Sequence, residues 1–169
     1  SGGRAAPVSG KGIFRAERLE SEVDLGHVGH VTGVEVAELE GLLSSNQVPV
    51  VTPLAIDAAG AVYNINADVS ACRLAEALRA AKLVFLSDVP GVLRDAADPS
   101  TLISTIHTDE VAGLIADGVI SGGMRPKVES AVAALAAGCG QVHMIDARLQ
   151  HSVLLEIFTD KGVGTQLIG

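Results

Sequence analysis

The sequence predicts an α/β domain with a parallel or mixed sheet covered by helices on both sides. Apolar runs of strand length alternate with segments of helical period along most of the chain. The run Lys82–Ser87 (KLVFLS) is short and continuously apolar, as a strand covered on both faces requires. Helical stretches of about 10–15 residues separate the strands, which is the spacing of βαβ units.

The elements follow in order. Val34–Leu43 (VEVAELEGLL) reads as an amphipathic helix and Val48–Thr52 as a strand. Asp57–Gly60 (DAAG) is a turn, with Ala61–Tyr63 as the return arm of a hairpin. Asp68–Ala81 has helical spacing without a breaker and leads into the Lys82–Ser87 strand. Thr108-Asp109-Glu110 opens a helix with a capping hydroxyl and acids in its first turn. Further elements are a helix over Pro126–Ala137, a strand over Gln141–Ile145, a helix over Ser152–Phe158 and a short edge strand within Gly162–Ile168. The first thirty residues are glycine-punctuated, with one strand-like piece, Gly12–Ala16. The expected division is therefore a glycine-rich segment, 1–33, and an α/β part, 34–169.

Composition narrows the function. The 169 residues are 48% apolar, 19% charged and 2% aromatic, which fits one globular domain with a real core. No apolar run approaches the roughly 18–20 residues of a membrane span, and Ser1-Gly2-Gly3-Arg4 is not expected to be a signal peptide. Twelve basic residues against 20 acidic give a net charge of −8, and there are only three Phe, one Tyr and no Trp. Nucleic acid, which calls for a basic face and stacking aromatics, is not an expected partner. Small anions remain open, because glycine loops and helix N-termini bind phosphate through backbone N–H groups. Cys72 and Cys139 lie far apart and outside any CxxC, which favours buried thiols in a reducing, cytoplasmic setting.

Three segments carry candidate chemistry. In Tyr63-Asn64-Ile65-Asn66-Ala67-Asp68 a strand end meets a helix start; Asp68 as a cap and the asparagines as turn residues are the simpler account when the segment is taken alone. Ser87-Asp88-Val89-Pro90-Gly91-Val92 leaves the carboxyl end of the most apolar strand, where open α/β sheets bind ligands, although an ordinary strand exit looks the same. Val119-Ile120-Ser121-Gly122-Gly123-Met124-Arg125-Pro126-Lys127 runs from a Gly-Gly loop into a helix. Lys127 near the positive end of that helix conflicts with the macrodipole unless an anion binds there. No GxxxxGK[ST] loop occurs. Together the three segments suggest phosphoryl transfer.

Gly26-His27-Val28-Gly29, VPVVTPL, YNINAD, LSDVPGVL, DPSTLIS, GVISGGMRPKV, VHMIDAR and FTDKGVGT occur in that order. The series resembles the C-terminal two-thirds of the N-acetylglutamate kinases, in the amino-acid kinase superfamily, over essentially the whole chain. The resemblance implies a three-layer αβα sandwich of the carbamate kinase-like type, N-terminally truncated. It implies transfer of the γ-phosphoryl group of ATP, with Mg2+ held mainly by phosphates, to the γ-carboxylate of N-acetyl-L-glutamate in arginine synthesis. It makes Asn64 a substrate contact, Asp68 the organiser of catalytic lysines and Lys127 a transition-state stabiliser. Ser87, Asp88, Val89, Pro90, Gly91 and Val92, with Val119, Ile120 and Ser121, become nucleotide contacts. No protein metal ligand is assigned. A homo-oligomer, dimer or higher, is expected.

The sequence also departs from the family pattern. The lysine- and glycine-rich start and the substrate Gly-Gly pair with its arginine have no counterpart, so the chain alone is expected to turn over poorly. His27 and His30 replace an aromatic and an acid; solvated loop histidines are preferred to an HxxH metal site. Lys161 stands where relatives commonly have Glu, in a region that regulated members use for arginine feedback; with no counterpart of their long N-terminal helix, arginine inhibition is not expected. The alternatives are another amino-acid kinase, acting on acetylaminoadipate, glutamate, aspartate or carbamate, or a non-catalytic nucleotide-binding or interaction protein.

Overall fold

The computed structural model describes residues 3–159 and 162–169; Lys161 lies outside them. The chain divides into two compact units, Ser1–Leu78 and Arg79–Gly169, so residue 33 falls inside the first.

In the first unit, β1 (Arg4–Val8) pairs in parallel with β4 (Gln47–Val51). A second sheet has the order β3-β2-β5-β6, with β2 (Phe14–Arg18), β3 (Gly29–Val34), β5 (Leu54–Ile56) and β6 (Val62–Asn64). The glycine-rich start thus holds three strands and one helical turn, α1 (Gly10–Ile13), rather than a single strand-like piece. Glycine spacing hid them. Gly10 shows why glycine is needed: a Cβ there would collide with the Thr52 and Leu54 carbonyls, while its N–H donates to Thr52 Oγ1 at 3.0 Å. The DAAG turn forms as expected. Asp57 Oδ1 accepts the N–H groups of Ala59 and Ala61 at 2.9 and 2.8 Å, and Tyr63 donates its hydroxyl to Oδ2.

Two helices flank these strands: α2 (Ala37–Ser44) packs on β4 and α3 (Ala67–Ala77) on β3. The core joins Val8, Ile13, Phe14, Ala16, Val31, Leu39, Ala55 and Ile65. Burying each large side chain among these stabilises by about 1.5–3 kcal/mol before entropy is counted.

The second unit is built on a mixed sheet of order β7-β9-β10-β8: β7 (Lys82–Ser87), β8 (Thr105–His107), β9 (Gln141–Asp146) and β10 (Thr165–Ile168). Strand β7 is the sheet's edge, with Leu86 56% exposed, and the doubly covered position belongs to β9. Strand β10, expected at an edge, lies between β9 and β8, antiparallel to the first and parallel to the second.

Helices are α4 (Val111–Ala116), α5 (Met124–Ala136) and α6 (Ser152–Phe158). Thr108 does not cap α4. Glu110 occupies that position and its Oε2 accepts the His107 N–H at 2.8 Å.

Successive β residues face opposite sides, and that fixes the layers. His143 binds Glu156 of α6, whereas its neighbour Met144 is in register with Phe85, over which Lys127 of α5 lies. The two helices therefore cover opposite faces of this sheet, giving the unit helix–sheet–helix layering.

Candidate active site

The segment Tyr63–Asp68 belongs to the first unit. Asn64 ends β6, exposed, and its N–H donates to the His27 carbonyl at 2.8 Å. The side chain is thereby offered at a strand end whose backbone is already paired. The helix cap is Asn66 and not Asp68: Asn66 Oδ1 accepts the Val69 N–H at 3.1 Å. Asp68 sits half-buried within the first turn, where the dipole favours a carboxylate. Capping therefore does not account for Asp68.

The remaining candidates lie in the second unit. Ser87 is the last residue of β7, and register pairs it with Asp146, so β7 and β9 end at the same edge. The chain then turns through Asp88–Gly91. Gly91 has φ +145, and a Cβ there would lie 2.5 Å from Thr165 Oγ1 and 2.9 Å from Leu102 Cδ1, so no larger residue fits. Val92 is buried, and both of its backbone groups are used: its N–H donates to Thr165 Oγ1 at 2.8 Å and its carbonyl accepts from Ile103. Ser87, Val89 and Pro90 are half-buried and Asp88 is exposed. Those four are the residues of the segment that a ligand can reach.

Val119–Ser121 enters α5. Ile120 is 1% exposed and its N–H goes to the Leu114 carbonyl; the Ser121 carbonyl accepts from Met124. Gly122 takes φ +53 to make the turn. Helix α5 begins two residues earlier than the sequence indicates, which puts Pro126 at its third position, where its lack of an N–H still costs nothing. Its cap, Gly123, offers no side chain, and Arg125 and Lys127 lie in the first turns. Lys127 is half-buried, with Nζ 5.9 Å from the Phe85 ring centroid, within reach of a cation–π attraction.

Sequence reasoning missed two features of this unit. Arg148 forks onto Asp146, Nε to Oδ1 at 2.9 Å and Nη2 to Oδ2 at 2.8 Å. This guanidinium, with the Arg148 N–H, holds the Asp146 carboxyl below its ordinary value. The IDAR spacing carries that signal, since a carboxylate two residues before an arginine at a strand exit suits a fork.

The other is a polar cleft of about 570 Å³ lined by Lys82, Thr105, Gln141, His143, Glu156 and Gln166, among others. Register puts these strand residues on the α6 face, opposite Lys127. His143 Nδ1 lies 2.7 Å from Glu156 Oε1, and its buried Nε2 has no hydrogen-bond partner among the described residues. Burial pushes the Glu156 carboxyl up, but the Val163 N–H, His143 and the Gly164 N–H more than offset this and leave it below its ordinary value. No sequence pattern announces a pair 13 residues apart. Among the described residues no group of three His, Cys, Asp or Glu could hold a metal ion; His30 pairs instead with Glu17 at 3.9 Å.

Residues 1–146 match the model of the amino acid kinase family. The chain is 46% identical to the acetylglutamate kinase of Heliobacterium modesticaldum, over 99% of this chain and 61% of that protein. It is 47% identical to the acetylglutamate kinase of Desulfitobacterium hafniense, over 97% of this chain and 59% of that one. The chain thus spans about 60% of the length of these curated relatives. Among solved structures, N-acetylglutamate synthase from Neisseria gonorrhoeae, complexed with coenzyme A and L-arginine, superposes with a TM-score of 0.84 at 27% identity, over 97% of this chain and 38% of that one.

Proposed function

The chain belongs to the amino acid kinase family, and we propose that it forms the nucleotide-binding part of an N-acetyl-L-glutamate kinase. The observation that carries this reading is the position of Lys127. Its ammonium lies over Phe85, two residues before the carboxyl edge of β7, on the same face of the sheet as Ser87.

In the proposed reaction, a γ-carboxylate oxygen of N-acetyl-L-glutamate attacks the γ-phosphorus of ATP. The bond from that phosphorus to the β–γ bridging oxygen breaks, ADP leaves, and an acyl phosphate forms. Little covalent chemistry falls to the protein, so positioning and charge stabilisation dominate. Lys127 places positive charge on the transferring phosphoryl group. Asp68 orients the cationic groups, and Asn64 contacts the main-chain end of the substrate. Ser87–Val92 and Val119–Ser121 form the nucleotide walls, with buried Val92 and Ile120 acting as anchors rather than as polar contacts. The uncapped start of α5, with Arg125 and Lys127, suits a phosphate. ATP is taken as its Mg2+ complex, with the ion held by the phosphates. A cytoplasmic location and a homo-oligomer accompany this proposal, and residues 34–169 are its nucleotide-binding part.

Calorimetry of the 169-residue chain with Mg·ADP tests the reading first. Micromolar to millimolar affinity, about −4 to −8 kcal/mol, is expected of a cleft with part of its walls present. A folded chain that gives no nucleotide heat would sink the proposal. A coupled ADP-release assay with N-acetyl-L-glutamate tests the substrate. The chain by itself is expected to turn over poorly, in keeping with the fraction of its relatives' length that it spans. Asn64→Ala in an active form should raise KM for N-acetyl-L-glutamate and leave KM for ATP unchanged.

A further inference from the structure

We propose that Thr165 is a positioning residue for the nucleotide loop, its hydroxyl serving as a buried relay that sets where Ser87–Val92 lies. The inference rests on the nucleotide-binding reading above.

After Gly91 the chain makes a short antiparallel ladder with the segment ahead of β8. The Ile103 N–H donates to the Val92 carbonyl at 2.9 Å, Leu93 bridges Leu102, and the Arg94 N–H donates to the Thr101 carbonyl. A hydrogen-bonded antiparallel pair exchanges two bonds, so the Val92 N–H would ordinarily go to the Ile103 carbonyl. Here it does not. The Val92 N–H donates to Thr165 Oγ1 at 2.8 Å, and that hydroxyl donates to the Ile103 carbonyl at 2.8 Å. One side chain, 73 residues from Val92 in sequence, is inserted into the ladder in place of the second bond.

The site is built for this insertion. Thr165 is fully buried, so its hydroxyl has no water to fall back on. Gly91 leaves the room: a Cβ there would come within 2.5 Å of Thr165 Oγ1 and 3.0 Å of the Thr165 backbone nitrogen.

Register ties the relay to the phosphoryl-binding side. Thr165 pairs with Met144 across β10–β9, and Met144 pairs with Phe85 across β9–β7. Phe85, Met144 and Thr165 form one transverse row on one face of the sheet. At one end of the row Lys127 lies over Phe85, and at the other Thr165 grips Val92. The row therefore fixes the spacing between the lysine and the nucleotide loop, a spacing that phosphoryl transfer tolerates poorly when altered.

Thr165→Val keeps the shape and deletes the relay; Thr165→Ser keeps the relay and deletes a buried methyl. Calorimetry with Mg·ADP on the folded 169-residue variants, alongside thermal unfolding without nucleotide, separates the two effects. Expected is a loss of nucleotide affinity of roughly tenfold or more in Thr165→Val, the size set by a buried N–H left without a partner. Thr165→Ser should bind within about twofold of the parent even though the lost methyl lowers its unfolding temperature.

Parent-like affinity in a folded Thr165→Val overturns the inference while leaving the nucleotide reading intact. Failure of the parent chain itself to bind Mg·ADP overturns both. Should Thr165→Val not fold, the serine variant still decides: retained affinity supports the relay, and weakened affinity overturns it.

Discussion

The ammonium of Lys127 lies 5.9 Å from the ring centroid of Phe85, so a helix residue and a strand residue together fix where a positive charge stands on the sheet. The buried ring gives a long, flexible side chain a preferred resting place. In an active form assayed with Mg·ATP and N-acetyl-L-glutamate, Lys127→Ala should lower kcat by about 10²-fold or more with a smaller change in KM. Near-normal kcat would return Lys127 to the status of a solvated helix residue.

Asp68 and Asn66 stand two residues apart at the start of α3, and the proposed role of Asp68 is distinct from the capping done by Asn66. Asn66→Ala should destabilise the first unit by about 1 kcal/mol and leave kcat nearly unchanged, because Asn66 holds the Val69 N–H. Asp68→Asn should do the reverse, lowering kcat while the unfolding midpoint holds. Equal effects of both variants on stability and on kcat would refute the division of roles.

Gly91 is tightly packed against Thr165 and Leu102 at the end of the turn that follows β7. Gly91→Ala meets both a φ of +145 and the Thr165 hydroxyl, and is expected to cost about 2 kcal/mol or more. Gly122→Ala, with φ +53 and open space around it, should cost less. Denaturant midpoints of the two variants compare them directly, and a harmless Gly91→Ala contradicts the packing described here.

Glu156 makes the second unit sensitive to acid. Its carboxyl lies below its ordinary value in the folded state, so it contributes stability above the unfolded value of about 4.3, and that contribution is lost as pH falls through the folded value. Unfolding midpoints should therefore drop below about pH 4. Glu156→Gln should flatten that dependence and cost about 2–3 kcal/mol at neutral pH, since it weakens bonds to His143, Val163 and Gly164. Midpoints of the variant that fall as steeply with acid as the parent's would assign the sensitivity to other carboxylates.

Local signals located most of the strands and helices. The helix Ser152–Phe158 and the strand Lys82–Ser87 match the sequence reading residue for residue. The helices α2, α3 and α5 and the return arm β6 of the hairpin at Asp57 differ from it only at their ends. Hidden from that reading were β1, which lies within the glycine-rich start, β3, which carries Gly29 and Gly33, and β5 and β8, each three residues long. Thr108 and Asp68 looked like caps because a hydroxyl or carboxylate before a helix is a sound local signal. Glu110 and Asn66 hold the cap positions instead; Asn66 accepts the Val69 N–H, whereas the Glu110 carboxylate turns back to the His107 N–H and leaves the start of α4 without a side-chain cap.

What the sequence determined by itself are the properties carried by short-range chemistry: the alternation of strand and helix, the turn at Asp57, and the ordered motifs that mark the family. Tertiary structure alone decided which strand is central, which faces α5 and α6 cover, and which distant groups meet. Lys127 with Phe85, Glu156 with His143, and Thr165 with Val92 are separated by 42, 13 and 73 residues, and no local preference encodes such pairs. They arise because strand register sets one partner's height and face while helix packing sets the other's, and both are fixed only once the sheet has formed.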